Sequence, residues 1–144
     1  MRMAETDLTV LLASMSPELM PGIYVFATLS AGAPAPAGLD PVMSFKEREG
    51  CTLIALEQRA RAAGLAAQFR CRMITLNIHS SLAAVGFLAA LLPMLAAAGM
   101  GVNPVSAFHH DHLFVPADRA EEAVVLLEHL AGKHRRTIPD PLAS

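Results

Sequence analysis

The sequence predicts an α+β protein built of ferredoxin-like units in tandem, with helices covering antiparallel sheets. Three observations carry that expectation. Apolar residues recur at helical spacing near both ends of the chain, stretches between them alternate at strand spacing, and a weak internal repeat relates the halves. When TLIALEQRARAAGL is laid over HLFVPADRAEEAVV, Leu53 meets Leu113, Arg59 meets Arg119, Ala60 meets Ala120 and Ala63 meets Ala123. Each half then reads helix, strand, strand, helix. Adding RCRMITLNIH makes the second half βαββα, most of a ferredoxin-like unit.

The first helix is marked by Leu8, Leu11, Leu12 and Met15 at i, i+3, i+4 and i+7, with Thr6 as its expected cap and SPELMPG as its stop. IYVFATL follows as a strand. SAGAPAPAGLDP, rich in Ala, Gly and Pro, continues neither strand nor helix and is expected as a surface loop. CTLIALEQRARAAG runs from strand into a short helix closed at Gly64. In RCRMITLNIH, Ile74, Leu76 and Ile78 alternate with Met73, Thr75, Asn77 and His79, giving a strand with one apolar face. A helix ending near Gly99, two strands in VNPVSAF and HLFVP, and a last helix with Ala120, Ala123, Val124, Leu127 and Leu130 on one side complete the chain. Asp118 and Glu121 have capping-box spacing, and the polar KHRRTIPDPLAS is expected to be a mobile tail.

With 144 residues, the chain suits one domain or two very small ones sharing a core. Eleven basic against thirteen acidic residues give a net charge of -2, which offers no footprint for a nucleic-acid backbone. From Met73 to Phe108 there is no Asp, Glu, Lys or Arg, and Leu82 to Val102 is long enough to span a bilayer. That run is dominated by Ala and Gly, contains Pro93 and lacks interfacial anchors, so it reads as a helix buried on more than one side. The amino terminus has no apolar run after its basic residue and so does not read as a secretory signal; the two cysteines are not spaced as CxxC, and a reducing cytoplasm is expected.

TLNIHSSLAAVGFLAALLPMLAAAGMGVNPVSAFHHDHLFVP resembles the small-molecule-binding ACT domain, and TDLTVLLASMSPELMPGIYVFATLS followed by EREGCTLIAL resembles short tandem-ACT proteins of bacteria. The resemblance covers nearly all of residues 5 to 131. It implies an N-terminal unit over residues 1–68, rearranged or incomplete, a C-terminal ACT unit over 69–133 and the tail 134–144. It also implies an amino acid or similar carboxylate effector at the loop between the unit's first strand and first helix. Gly86 and Gly99 stand where the family opens and closes that helix, which puts the ligand loop at HSSLAAVG, with His79, Ser80, Ser81, Leu82, Ala84, Val85 and Gly86 as its expected ligand contacts. The chemistry agrees: a helix amino terminus exposes unpaired N–H groups, Gly86 permits close approach of a carboxylate, and the serine hydroxyls and the Asn103 amide add polar contacts. Ala83 stands where an acidic residue is common, so this loop offers no anionic partner to an amino group.

FHHDHLFVP gathers His109, His110 and His112 with Asp111. Strand alternation sends His110 and His112 to one side and His109 and Asp111 to the other, so two ligands at most converge, whereas zinc takes three or four. A polar hairpin turn is the expectation, with a metal site through His110 and His112 as the alternative. Cys51 and Cys71 sit in predicted strands among apolar neighbours, the setting of inert thiols. Without a GxSxG, phosphate-loop or HExxH motif, the sequence points to a non-catalytic regulatory or sensor module that needs no cofactor. A homodimer is expected, because the apolar helix after Gly86 has no polar face; a purely structural dimerisation module is the remaining alternative.

Overall fold

The computed structural model describes residues 7–137. Compactness divides them into two units: one takes the residues up to Met20 together with those from Met73 onward, and the other is Pro21–Arg72. The first helix thus falls in the compact unit that holds the residues from Met73 onward.

The discontinuous unit opens with α1 (Leu8–Ser14), capped by the Asp7 carboxylate, which accepts from Val10 N at 3.1 Å. Asp7 thus takes the capping place expected for Thr6, which lies outside the described residues. Its sheet has the order β1 (Pro17–Leu19), the end of β5 (Ala67–Leu76), β7 (Asp111–Pro116) and β6 (Asn103–Ser106). β5 stops at Leu76, so Ile78 and His79, expected in the strand, lie in the following loop. Helices α1, α3 (Phe87–Ala97) and α4 (Ala120–Arg135) enclose the core of this unit. Leu11, Leu12 and Met15 from α1 meet Ile74 and Leu76, Leu91 and Leu95, Leu113 and Val115, and Ala123 and Leu127, all almost fully buried. Burial of side chains this size contributes roughly 1.5–3 kcal/mol each.

Two helices depart from expectation. α3 buries one stripe, Phe87, Leu91 and Leu95, while Ala89, Pro93, Ala96 and Ala97 are exposed; it is not covered on several sides. Alanine and proline expose little apolar surface, which is why a helix without a polar face can still have an outside. α4 begins after a 3-10 turn at Ala117–Arg119, and no side-chain capping bond is made at its start, so the Asp118–Glu121 capping box does not form. Its last turn carries Lys133 and Arg135, positive charges that suit the carbonyl end of a helix, and the helix extends into the stretch expected as tail.

The contiguous unit has the strand order β3 (Met43–Lys46), β4 (Gly50–Leu56), β2 (Tyr24–Ser30) and the start of β5. α2 (Glu57–Ala62) covers one face, packing Ala60 on Val25, Leu29, Leu39, Leu53 and Ala55. Residues 31–42 form no helix or strand, as the Ala, Gly and Pro content predicts. Against β2, the start of β5 carries a bulge: Tyr24 pairs with Cys71 and Phe26 with Gln68, so Phe69 and Arg70 together oppose Val25. Phe69 has φ +60°, a left-handed conformation that a bulge of this kind normally gives to glycine. The predicted repeat is visible in both units as a strand leading directly into a helix, with Leu53 and Leu113, and Ala60 and Ala120, buried at matching places.

Candidate functional site

The loop from Asn77 to Gly86 joins β5 to α3 and is shaped by its own backbone. Ser80 N bonds Ile78 O at 3.1 Å, Ala84 N bonds Ser81 O at 3.0 Å, and Ser81 Oγ accepts from Ala83 N at 3.0 Å. Ser81 is therefore partly spent on the turn. Gly86 enters the helix with φ +89°, and no side-chain capping bond is made at the start of α3. The first N–H groups of a helix have no intrahelical acceptor, so this end retains open donors and partial positive charge.

A cavity of about 170 Å³ lies at this helix start. Ser80, Ser81, Leu82, Ala84 and Gly86 line it from the loop, Phe87, Leu88 and Ala89 from the first turn of α3, and Ser106, Ala107 and Asp111 from the β6–β7 hairpin. Of the residues expected at a ligand site, His79, Val85 and Asn103 do not line it. The His79 ring lies 6.4 Å from that of His109, and the Val85 side chain is largely in solvent. Asn103 pairs with Phe114 at one end of β6, while Ser106 and Asp111 pair at the other, beside the cavity.

Asp111 is the residue that the sequence reading did not place here. It was expected in the turn, but the turn is closed by Ala107 N bonding His110 O at 3.0 Å, and Asp111 is the first residue of β7. It is 9% exposed. Ser106 Oγ donates to its Oδ1 at 2.6 Å and Ser80 Oγ to its Oδ2 at 3.5 Å, which is how a carboxylate is kept in a half-dry place. The signal was present in the alternation of FHHDH, which puts Asp111 on the side opposite His110 and His112. The cavity thus has an anion on the hairpin and a partly positive helix end, a pairing that suits a zwitterion.

The histidines are occupied locally. His110 Nδ1 lies 3.2 Å from Ile78 O, and His112 Nδ1 lies 3.0 Å from Thr75 Oγ1. Burial, and then the neighbouring His110, lower the His112 pKa, with Asp111 opposing them. The His110 and His112 ring centroids are 6.4 Å apart. Among the described residues, no three or more His, Cys, Asp or Glu side chains come together to hold a metal ion. Burial pushes the Cys71 thiol up to about 12, far from a reactive thiolate. Among the described residues no helix is long and apolar enough to cross a membrane.

Two family models, both described as ACT domain, match residues 3–72 and 68–129. A Vibrio cholerae protein of unknown function, described as a possible transport protein, is 40% identical over 86% of this chain and 95% of its own, with a TM-score of 0.78. An Agrobacterium tumefaciens protein is 21% identical over 81% of this chain and 89% of its own, with a TM-score of 0.70. The regulatory subunit of aspartate kinase from Thermus flavus shares the fold, at 12% identity over 80% of this chain and 96% of its own and a TM-score of 0.62. No curated protein matches the sequence significantly.

Proposed function

Because the chain belongs to the ACT-domain family and carries two such units in tandem, we propose that it is a non-catalytic regulatory module that binds a free α-amino acid at the β5–α3 loop. The observation that carries this reading is that Asp111 and the uncapped start of α3 line one cavity. The helix end receives the ligand's carboxylate, Asp111 its ammonium group, and the side chain extends past the exposed Leu82. Ser106 and Ser80 both donate to Asp111, which holds the carboxylate in place as a partner for the ligand's ammonium group.

The test is a thermal-shift screen of the twenty amino acids and of the corresponding organic acids that lack the amino group. An amino acid present at a hundredfold its dissociation constant adds about 2.7 kcal/mol of stability. Asp111→Asn abolishes the preference for the amino acid over its deaminated counterpart. No shift from any compound, or an unchanged preference in the variant, rejects the reading.

The module acts as a homodimer through the outer stripe of α3. Ala89, Pro93, Ala96 and Ala97 are exposed beside half-buried Leu88, Leu92 and Met94, and small residues let a second helix approach closely. Light scattering at micromolar concentration decides it, and a monomeric mass excludes the dimer. The free thiols of Cys51 and Cys71 are in keeping with a cytoplasmic setting.

A further inference from the structure

The contiguous unit has no counterpart of α3, because residues 31–42 after β2 are not helical, so the arrangement proposed for the other unit is not repeated in it. It has a cavity of a different make. We propose that the cavity of about 300 Å³ between α2 and the bulged start of β5 is a second binding site, which takes a small organic acid with an apolar body.

The bulge builds this site. Val25, on the α2 side of the sheet, is opposed by both Phe69 and Arg70, and of these two the Phe69 ring packs edge-on against Phe26 at 5.9 Å. Counted by simple alternation from Gln68, which pairs with Phe26 on the other face, Arg70 would point away from α2. The extra residue returns it to the helix side, where its Nε meets Glu57 Oε2 at 2.6 Å. The unfavourable φ of Phe69 is what accommodates that extra residue, and strain of this kind persists where the surroundings impose it, commonly at ligand sites.

The lining fixes the ligand's chemistry. Val25 and Ala60, almost fully buried, and half-buried Leu65 form an apolar floor. Arg61 and Arg70 bring two positive charges against the single negative charge of Glu57, so the rim carries a net positive charge and selects an anion. Glu57 engages Arg70 through Nε, which orients that guanidinium and leaves its terminal nitrogens to grip a carboxylate, while Arg61, 3.9 Å from Glu57 and mostly exposed, adds a second positive charge at the rim.

Phenylacetate is the probe, with 2-phenylethanol as its uncharged counterpart, titrated into the isotope-labelled full chain and followed by backbone amide shifts. Saturable shifts are expected at Ala60, Leu65, Phe69 and Arg70. The affinity is expected to fall about tenfold for the alcohol, and about tenfold for phenylacetate in Arg61→Gln, the loss of one charge-assisted contact. Arg61 has 80% of its side chain exposed and its removal leaves the Glu57–Arg70 pair in place, so the variant folds. Absence of saturable shifts at these amides overturns the proposal. So does equal affinity for the alcohol, or for phenylacetate in the variant.

Discussion

Ser106 donates a 2.6 Å hydrogen bond to Asp111 across the pair that ends the β6–β7 ladder next to the hairpin turn. The bond fixes one carboxylate oxygen, and the longer contact from Ser80 reaches the other. Ser106→Ala leaves the charge but not its tether, so it costs about 1–2 kcal/mol of stability by urea melt. It weakens the amino-acid response less than Asp111→Asn does.

Gly86 is needed for its conformation rather than for space. A β-carbon there meets only Leu8 Cδ2 at 3.6 Å, an ordinary contact, but φ is +89°. Gly86→Ala therefore lowers stability by about 1 kcal/mol. Gly86→Asn loses less, since Asn tolerates left-handed backbone better. Equal losses for the two variants in thermal melts exclude this account.

Arg119 ties the end of α3 to the start of α4. Its Nη2 donates to Ala98 O at 2.7 Å, and its Nε and Nη2 grip the two carboxylate oxygens of Glu122. Arg119→Lys loses the fork that makes these contacts at once. It should depress the melting temperature more than Glu122→Gln, which leaves the bond to Ala98 in place.

His112 makes stability depend on pH. Burial holds its folded pKa below the unfolded value near 6.5, so the unfolded chain binds the extra proton first. The stability associated with neutral His112 is complete above the unfolded value and is lost as pH falls from it toward the folded one. Melts between pH 7.5 and about pH 5 should show this decline. His112→Gln flattens it, and an unchanged slope in that variant assigns the effect to other groups.

Much of the fold was legible because its elements obey one period each. Leu11, Leu12 and Met15 are core because helical spacing puts them on one face, and Leu53, Ile54, Leu113 and Val115 because their strands are apolar. β1 and β3 escaped notice, being edge strands of three and four residues with little burial to pattern them. The candidate site was legible only on its loop side. Ser80 and Gly86 announce themselves by type and position, but Asp111 gains its meaning from Ser80, 31 residues earlier, and no local pattern encodes that distance. The bulge was opaque for a related reason: Phe favours extended backbone, and only the pairing of β5 with β2 forces Phe69 out of it.

The membership of α1 in the discontinuous unit sets an order of events during synthesis. Leu11, Leu12 and Met15 leave the ribosome well before Leu91, Leu113 and Leu127 exist to receive them. At roughly 5–20 residues per second, the wait lasts on the order of ten seconds. Seven residues do not hold a helix alone, so through that interval the segment is an exposed apolar strip on a nascent chain. Pro21–Arg72 has its own cluster of buried residues and can close during the delay. The α1 segment is thus among the last parts of its unit to fold, and a ribosome that stalls before α4 leaves it open to chaperones and proteases.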